Sequence, residues 1–479
     1  IAPLLALSEY LPLSDAQRSQ LKIWSPQGLF KSLDLKWEGA RESPKQYSFK
    51  SEFQKLGIKP VGKVPGFSNM SGTLQADEQG GKLKLEGKQA TLDMPRVFRH
   101  LLNFDDLVAT AKWRIKNQRV TFDLEKANFS NAHLSGSVSA TYESSPDSAG
   151  HLDLNGALTR GDGTAAYQYL PRVVGDDTYL WLKEAVLKGS SDDVRVKVKG
   201  NLDRFPFVDD RGGIFQITAK VKDATLRYAP SWPQIEQIQA YLDFHGKRMD
   251  ITASQGVILG TRLSKVKVLI PDLLIHEGIL EIDGEAQGES ANFLRFIEES
   301  PVAQNIDHFT QPMKAEGSGK LVLSLRLPML HLQNSRVTGS YQFTANKIWL
   351  STQGPILDQA SGKIDFTDAS LTIPRITAQA LGGPITISAN PAPGGVVRVT
   401  AGGRFTAGGL QQIYPGALTQ RLKGASDWSA SIALRKKAAN FTLVSNLVGL
   451  SSELPYPLAK VAQESMPLKF ERRLLDANH

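Results

Sequence analysis

Histidines, carboxylate pairs and glycine-rich turns are the places where this chain could do chemistry. The eight histidines are His100, His133, His151, His245, His276, His308, His331 and His479. No two lie within five residues of each other and no His-Glu-x-x-His occurs, so their spacing offers no metal site. Carboxylates pair at Asp105-Asp106, Asp176-Asp177, Asp192-Asp193, Asp209-Asp210 and Glu298-Glu299. Each pair sits at a turn or helix start, where solvated acids cap backbone amides. No Gly-x-Ser-x-Gly elbow is present. "EGSGKLV" (316–322) has a Gly-Lys pair but lacks the upstream glycine and the following Ser/Thr of a phosphate loop. "GDGTAA" places Gly161, Gly163 and Ala166 ahead of a helical stretch, with Glu184 downstream where a ribose acid would stand. That site needs a doubly buried parallel strand feeding a helix, and the preceding "HLDLNGAL" alternates instead. The residues therefore predict no catalytic site, no metal and no cofactor.

The elements that would have to position such groups are strands. Val120, Phe122 and Leu124 alternate with polar residues, as do Val194, Val196 and Val198, then Phe215 and Ile217, then Val266, Val268 and Ile270. Leu321, Leu323 and Leu325 share a face, and Tyr341, Phe343 and Ala345 continue the rule. "YLDFHGKRMDI" (241–251) sets Leu242, Phe244, Met249 and Ile251 on one face of a strand pair around a His245 turn. "KIDFTDASLTI" (363–373) repeats that spacing with Ile364, Phe366, Leu371 and Ile373. Period-two strands bury one face and wet the other, which means antiparallel sheet. Turn signals recur at hairpin intervals, giving about 20–25 strands. The pattern predicts a mainly β chain, an elongated antiparallel sheet that must twist, curl into a trough or close, with a few short helices. It reads as one continuous repetitive body over 1–479, with helical insertions near 93–104, 164–188 and 289–299. A β-sandwich or β-solenoid would show the same alternation with its faces packed together, and pattern alone leaves both open.

Composition narrows the class. The chain has 479 residues, 41% of them hydrophobic and 22% charged, and no cysteine, which excludes disulfides and thiolate metal sites. The formal net charge of +8 is scattered along strands, as in "VRVKVKG" (194–200), with only short runs at "RKK" (435–437) and "ERRLL" (471–475). A nucleic-acid reader would concentrate it, so no nucleic-acid partner is expected. The longest uncharged stretch, 376–397, is broken by Gly and Pro and cannot span a bilayer as a helix. The opening "IAPLLALSEYLPL" lacks Met and a basic n-region, so the chain reads as a piece of something longer.

Three blocks carry a family resemblance: "YLPRVVGDDTYLWLKEAVLKGSSDDVRVKVKGNLDRFPF" (169–207), the Trp-Pro segment "LRYAPSWPQIEQIQAYLDF" within 226–273, and "SNLVGLSSELPYPLAKVAQESMPLKF" (445–470). Their order and spacing resemble the YhdP family of AsmA-like envelope proteins, central to late segment. The resemblance implies the elongated, twisted antiparallel sheet curled into a long apolar groove, a β trough in the periplasm that conducts phospholipid between inner and outer membranes. It also implies an N-terminal inner-membrane anchor outside this chain, contacts with outer-membrane components, and no catalytic residues. The partner would be phospholipid acyl chains, lying on the alternating apolar residues named above. The rival expectation is a structural or assembly protein of the envelope that carries no lipid.

Overall fold

A computed structural model describes residues 15–40, 43–62, 64–117, 119–208, 211–352, 354–393, 396–435 and 438–474. The N-terminal stretch 1–14, Asp209-Asp210, Lys436-Lys437, Leu475 and His479 lie outside the described residues. The chain divides into two compact units: 1–227 with 237–251 and 271–274, and 228–236 with 252–270 and 275–479.

The first unit is a ten-strand meander. Its strands are β1 (Gln27–Ala40), β2 (Ser43–Ile58), β3 (Gly66–Asp77), β4 (Gly80–Asp93), β5 (Leu102–Lys116), β6 (Arg119–Ser130), β7 (Leu134–Ser145), β8 (Ser148–Asp162), β9 (Val186–Asn201) and β10 (Gly213–Leu226). Each pairs antiparallel with the next in sequence. Local chemistry sets the hairpins: Asp77 Oδ1 accepts from the amides of Gln79 and Gly80, both at 2.9 Å, closing the β3–β4 turn. Two further strands, β11 (Ile235–His245) and β12 (Arg248–Ile258), contribute residues to both units.

The second unit continues with β13 (Thr261–Ile270), β14 (Ile279–Glu289), β15 (Lys314–Glu316), β16 (Ser318–Pro328), β17 (Arg336–Trp349), β18 (Ile356–Thr367), β19 (Leu371–Ala380), β20 (Gly383–Ala392), β21 (Val396–Thr406), β22 (Leu422–Arg435), β23 (Ala438–Ser445), β24 (Leu450–Ser452) and β25 (Leu468–Leu474). The main ladder runs β13–β14–β16–β17–β18–β19–β20–β21–β22–β23–β25, all antiparallel. Short β15 and β24 add to β17 and β22. The expected antiparallel β class is thus what the chain folds into.

Helices are few: α1 (Asp15–Trp24), α2 (Asp176–Ala185), α3 (Ser290–Glu298), α4 (Val302–Asn305), α5 (Ala407–Ile413) and α6 (Ala417–Gln420). Asp176 and Asp177 in the first turn of α2 and Lys183 in its last suit the helix dipole. Residues 94–101 form turns and a bridge rather than helix, and β5 already begins at Leu102. Because alternate connections of a meander fall at alternate rims, each unit has two unlike edges. In the first unit, tight turns such as 78–79 and 146–147 lie on one rim. The long excursions 94–101 and 163–185 lie on the other. In the second unit α3, α4, α5 and α6 all sit on a single rim by the same count.

Candidate functional site

The carboxylate pairs do not all sit at turns or helix starts as expected: Asp105-Asp106 lies within β5, Asp192-Asp193 within β9 and Glu298-Glu299 at the end of α3, while Asp176-Asp177 does open α2. Asp105 accepts from Gln89 at 2.8 Å and Asp106 pairs with Lys88. Asp176 binds Arg99 at 2.7 Å, Asp192 binds Lys222 at 2.6 Å, and Glu299 binds Arg295 at 2.6 Å. The Asp192 and Asp193 carboxyls are held below their ordinary range by side-chain hydrogen bonds, the first from Lys222 and the second from Lys220 and then Arg195. Strand β8, which leads into "GDGTAA", is antiparallel to both neighbours and runs into a 3-10 turn at Gly163–Tyr169. It lacks the parallel geometry of a dinucleotide site. His100 stacks on Tyr179 at 5.8 Å and shares a 2.8 Å hydrogen bond with its hydroxyl. It ties the 94–101 excursion to α2, as do Arg99 donating to Val174 O and Arg172 donating to Pro95 O, each at 2.7 Å. A small polar cleft below them is lined by Asn103, Asp105, Asn131, His133 and Tyr169. Its central Asn131 spends its amide on Asn103 O and Tyr169, and its carbonyl on the amides of His133 and Leu134. Among the described residues no three His, Asp or Glu converge as a metal site.

What remains is a surface. Cross-strand partners share a face, so register alone traces it. In the first unit one rung reads Leu33, Ser51, Leu74, Leu83, Ala111, Leu124, Ala140, Leu154, Val198 and Phe215, one residue from each of ten strands. The rung beside it carries Phe53, Gly72, Leu85, Ala109, Ala127, Val138, Gly156, Val196 and Ile217. Phe122 lies between Trp113 and Tyr142, Val120 opposite Ile115, and Val194 opposite Leu158. Leu242 and Phe244 flank Asp243, which accepts from Gln216 on the polar face at 3.0 Å, so they turn the other way. Met249 and Ile251 are half-buried on β12.

The second unit repeats the design. Gly288, Gly319, Phe343, Gly362, Ile376, Ile387, Ala401, Ala430, Leu443 and Phe470 form one rung across ten strands. Leu321 joins Tyr341 and Ile364; Leu323 joins Gly339, Phe366 and Leu371; Leu325 joins Ile282 and Val268. Val266 lies beside Gly284, Ile270 is buried at 8% exposure, and Ile373 faces Ala389. Opposite faces are polar and charge-complemented: Lys112 meets Asp123 and Glu125, Lys199 meets Asp153, and Glu285 takes Lys320 and Lys265.

Two features escaped the period-two rule. First, β-bulges switch the parity of the apolar face. After Phe343 the left-handed Ala345 (φ 54) lets Asn346, not Ala345, occupy the face opposite Ala360. Second, ring ends rest on cross-strand glycines. A Cβ at Gly339 would meet Phe366 Cζ at 2.1 Å, and one at Gly81 would meet Trp113 at 2.3 Å.

The apolar faces are not the inside of a sandwich. The lining residues named from the sequence are half-buried, apart from exposed Phe122 (37%) and Ala345 and buried Ile270 and Phe343. Within each unit the described strands form a single hydrogen-bonded ladder, with no separate second sheet among them to cover the face. Such a molecule presents an amphipathic antiparallel sheet with a wall of apolar rungs along one face. The chain belongs to the YhdP family, whose model matches residues 1–477. It is 24% identical over 442 residues to the intermembrane phospholipid transporter YhdP of Escherichia coli (strain K12), covering 89% of this chain and 34% of the relative. The chain thus spans about a third of that relative's length. No solved structure matches it. No helix among the described residues is long and apolar enough to cross a membrane.

Proposed function

We propose that this chain is a non-enzymatic segment of a lipid-conducting bridge, its apolar faces curled into a groove that carries phospholipid acyl chains. The observation that carries the reading is the apolar rungs, ten strands long in each unit, interrupted by a polar residue only at Ser51 and carried by single hydrogen-bonded ladders. Acyl chains leaving water for such a surface gain about 25 cal/mol per Å². A uniform lining gives them no single tight station. The lining consists of the alternating residues from Val120 to Ile373 named from the sequence. The similarity to an intermembrane phospholipid transporter supports phospholipid as the cargo. It also supports a site in the periplasm between inner and outer membranes, with an inner-membrane anchor in another part of the full-length protein and outer-membrane components at the far end.

The test is the lipid content of the purified full-length protein. Mass spectrometry of its organic extract should find phospholipid, and a Leu323→Asp/Leu325→Asp variant should carry less while keeping its fold. A protein free of lipid after gentle purification, with unchanged envelope lipid traffic in that variant, would overturn the reading.

A further inference from the structure

The β5–β6 hairpin ends in a cationic cluster that the sheet does not need. Lys116 and Arg119 are direct cross-strand partners, and Arg114, on the same face of β5, stands between Gly80 and Thr121. All three are exposed, and the ion pairs at this end of β5 and β6 use Lys112, Asp123 and Glu125 instead. Like charges placed directly opposite destabilise a sheet. Where like charges oppose each other elsewhere on the polar face, an acid stands by: Lys82 is opposite Lys112, which pairs with Asp123 and Glu125, and Arg326 is opposite Arg336, with Glu281 on Arg326 at 3.8 Å. The acids in the Arg114 row, Asp77 and Glu143, are each two strands away, and Asp77 is occupied with the amides of its own turn. On the reverse face of the same hairpin, Ile115 (39% exposed) faces Val120, and Trp113 faces Phe122 (37%). A rim therefore carries exposed apolar rungs on one side and, on the other, three cations with no ion pair among the described residues.

We infer that this hairpin is a station for the phosphate of an anionic lipid headgroup, whose acyl chains lie on Trp113, Ile115, Val120 and Phe122. The inference rests on the lipid-conducting reading above. Directly opposed Cβ atoms are about 5 Å apart and diagonal ones about 7–8 Å, so the three charged ends can converge on one phosphate. Long Arg and Lys stems reach around a sheet edge while keeping their heads in water. Guanidinium groups grip phosphate oxygens in pairs. Headgroup selection would then occur at the rim, leaving the apolar wall indifferent to it.

The experiment loads the full-length protein from vesicles of phosphatidylcholine mixed with phosphatidylglycerol at low salt and measures the lipid bound. Three proteins are compared: the unaltered one, Arg114→Gln/Lys116→Gln/Arg119→Gln, and a charge-matched control, Lys50→Gln/Lys82→Gln/Lys84→Gln. The unaltered and control proteins should favour phosphatidylglycerol about tenfold, from roughly half a kilocalorie per screened contact. The hairpin variant should bind lipid near parity. Equal preference in all three proteins, or its loss in the control as well, overturns the headgroup station and leaves lipid carriage standing. Absence of bound lipid in every protein overturns the reading beneath it. Inorganic phosphate alone binding the hairpin as tightly as phosphatidylglycerol does overturns the lipid assignment in favour of the free anion.

Discussion

A charge placed on a half-buried stretch of the apolar wall should be tolerated where the same charge at a tightly packed stretch of it is not. Leu323 lies half-buried in the rung with Gly284, Gly339 and Phe366. Full burial of a leucine is worth about 1.5–3 kcal/mol, so replacing a half-buried one by Asp forfeits about 1 kcal/mol, and the carboxylate stays hydrated. Ile385 is 5% exposed and packs with Phe343, Leu357, Ile376 and Ala378. There, Ile385→Asp loses about 2–5 kcal/mol of packing and also buries an unpaired charge, at several kcal/mol more. Urea unfolding followed by circular dichroism measures both. Leu323→Asp should shift the midpoint slightly with unchanged slope, whereas Ile385→Asp should unfold the surrounding strands. Equal, severe losses for the two substitutions would refute the claim that the wall is a surface at Leu323 and make it a packed interior there too.

Two further outcomes follow from particular side chains. The Lys460 ammonium is buried (7% exposed) and donates to the carbonyls of Leu447 at 2.9 Å, Val461 at 3.1 Å and Leu450. Lys460→Met should leave these acceptors unmet at about 1–3 kcal/mol, seen as faster hydrogen exchange in 446–462 without global unfolding. Burial pushes the Tyr228 hydroxyl up to about 12. A raised folded-state value means its stabilising contribution is full below pH 10 and fades as pH climbs from 10 through 12. Ultraviolet titration should show a late phenolate step that Tyr228→Phe removes, and a Tyr228 that ionises with the exposed tyrosines would contradict the burial.

Much of this was legible because register follows period two. Val194, Val196 and Val198 meet Ala219, Ile217 and Phe215 as alternation requires, and the His245 turn closes a hairpin between β11 and β12. The bulges were not legible. Nothing in "YQFTAN" announces that Ala345 yields its place to Asn346, because a left-handed residue there is selected by the neighbouring strand. The turns at 94–101 resembled a helix because "DMPRVFRHLL" has cap-like ends. Bonds from Arg99 and Arg172 to distant carbonyls hold them instead. The cations at Arg114, Lys116 and Arg119 looked scattered in sequence, since only the hairpin register brings them together.

The rings that rest on glycines bear on motion. Where Phe366 leans over Gly339 and Trp113 over Gly81, an aromatic that would otherwise stand up from the sheet is laid down. The wall is therefore less corrugated than its composition suggests. For a flexible guest sliding across such rungs, the speed is set by the tallest ridge it must cross, and each 1.4 kcal/mol removed from a barrier is about tenfold in rate. If the wall carries lipid as proposed, these glycines act as a lubricant, lowering friction along the path without weakening its affinity.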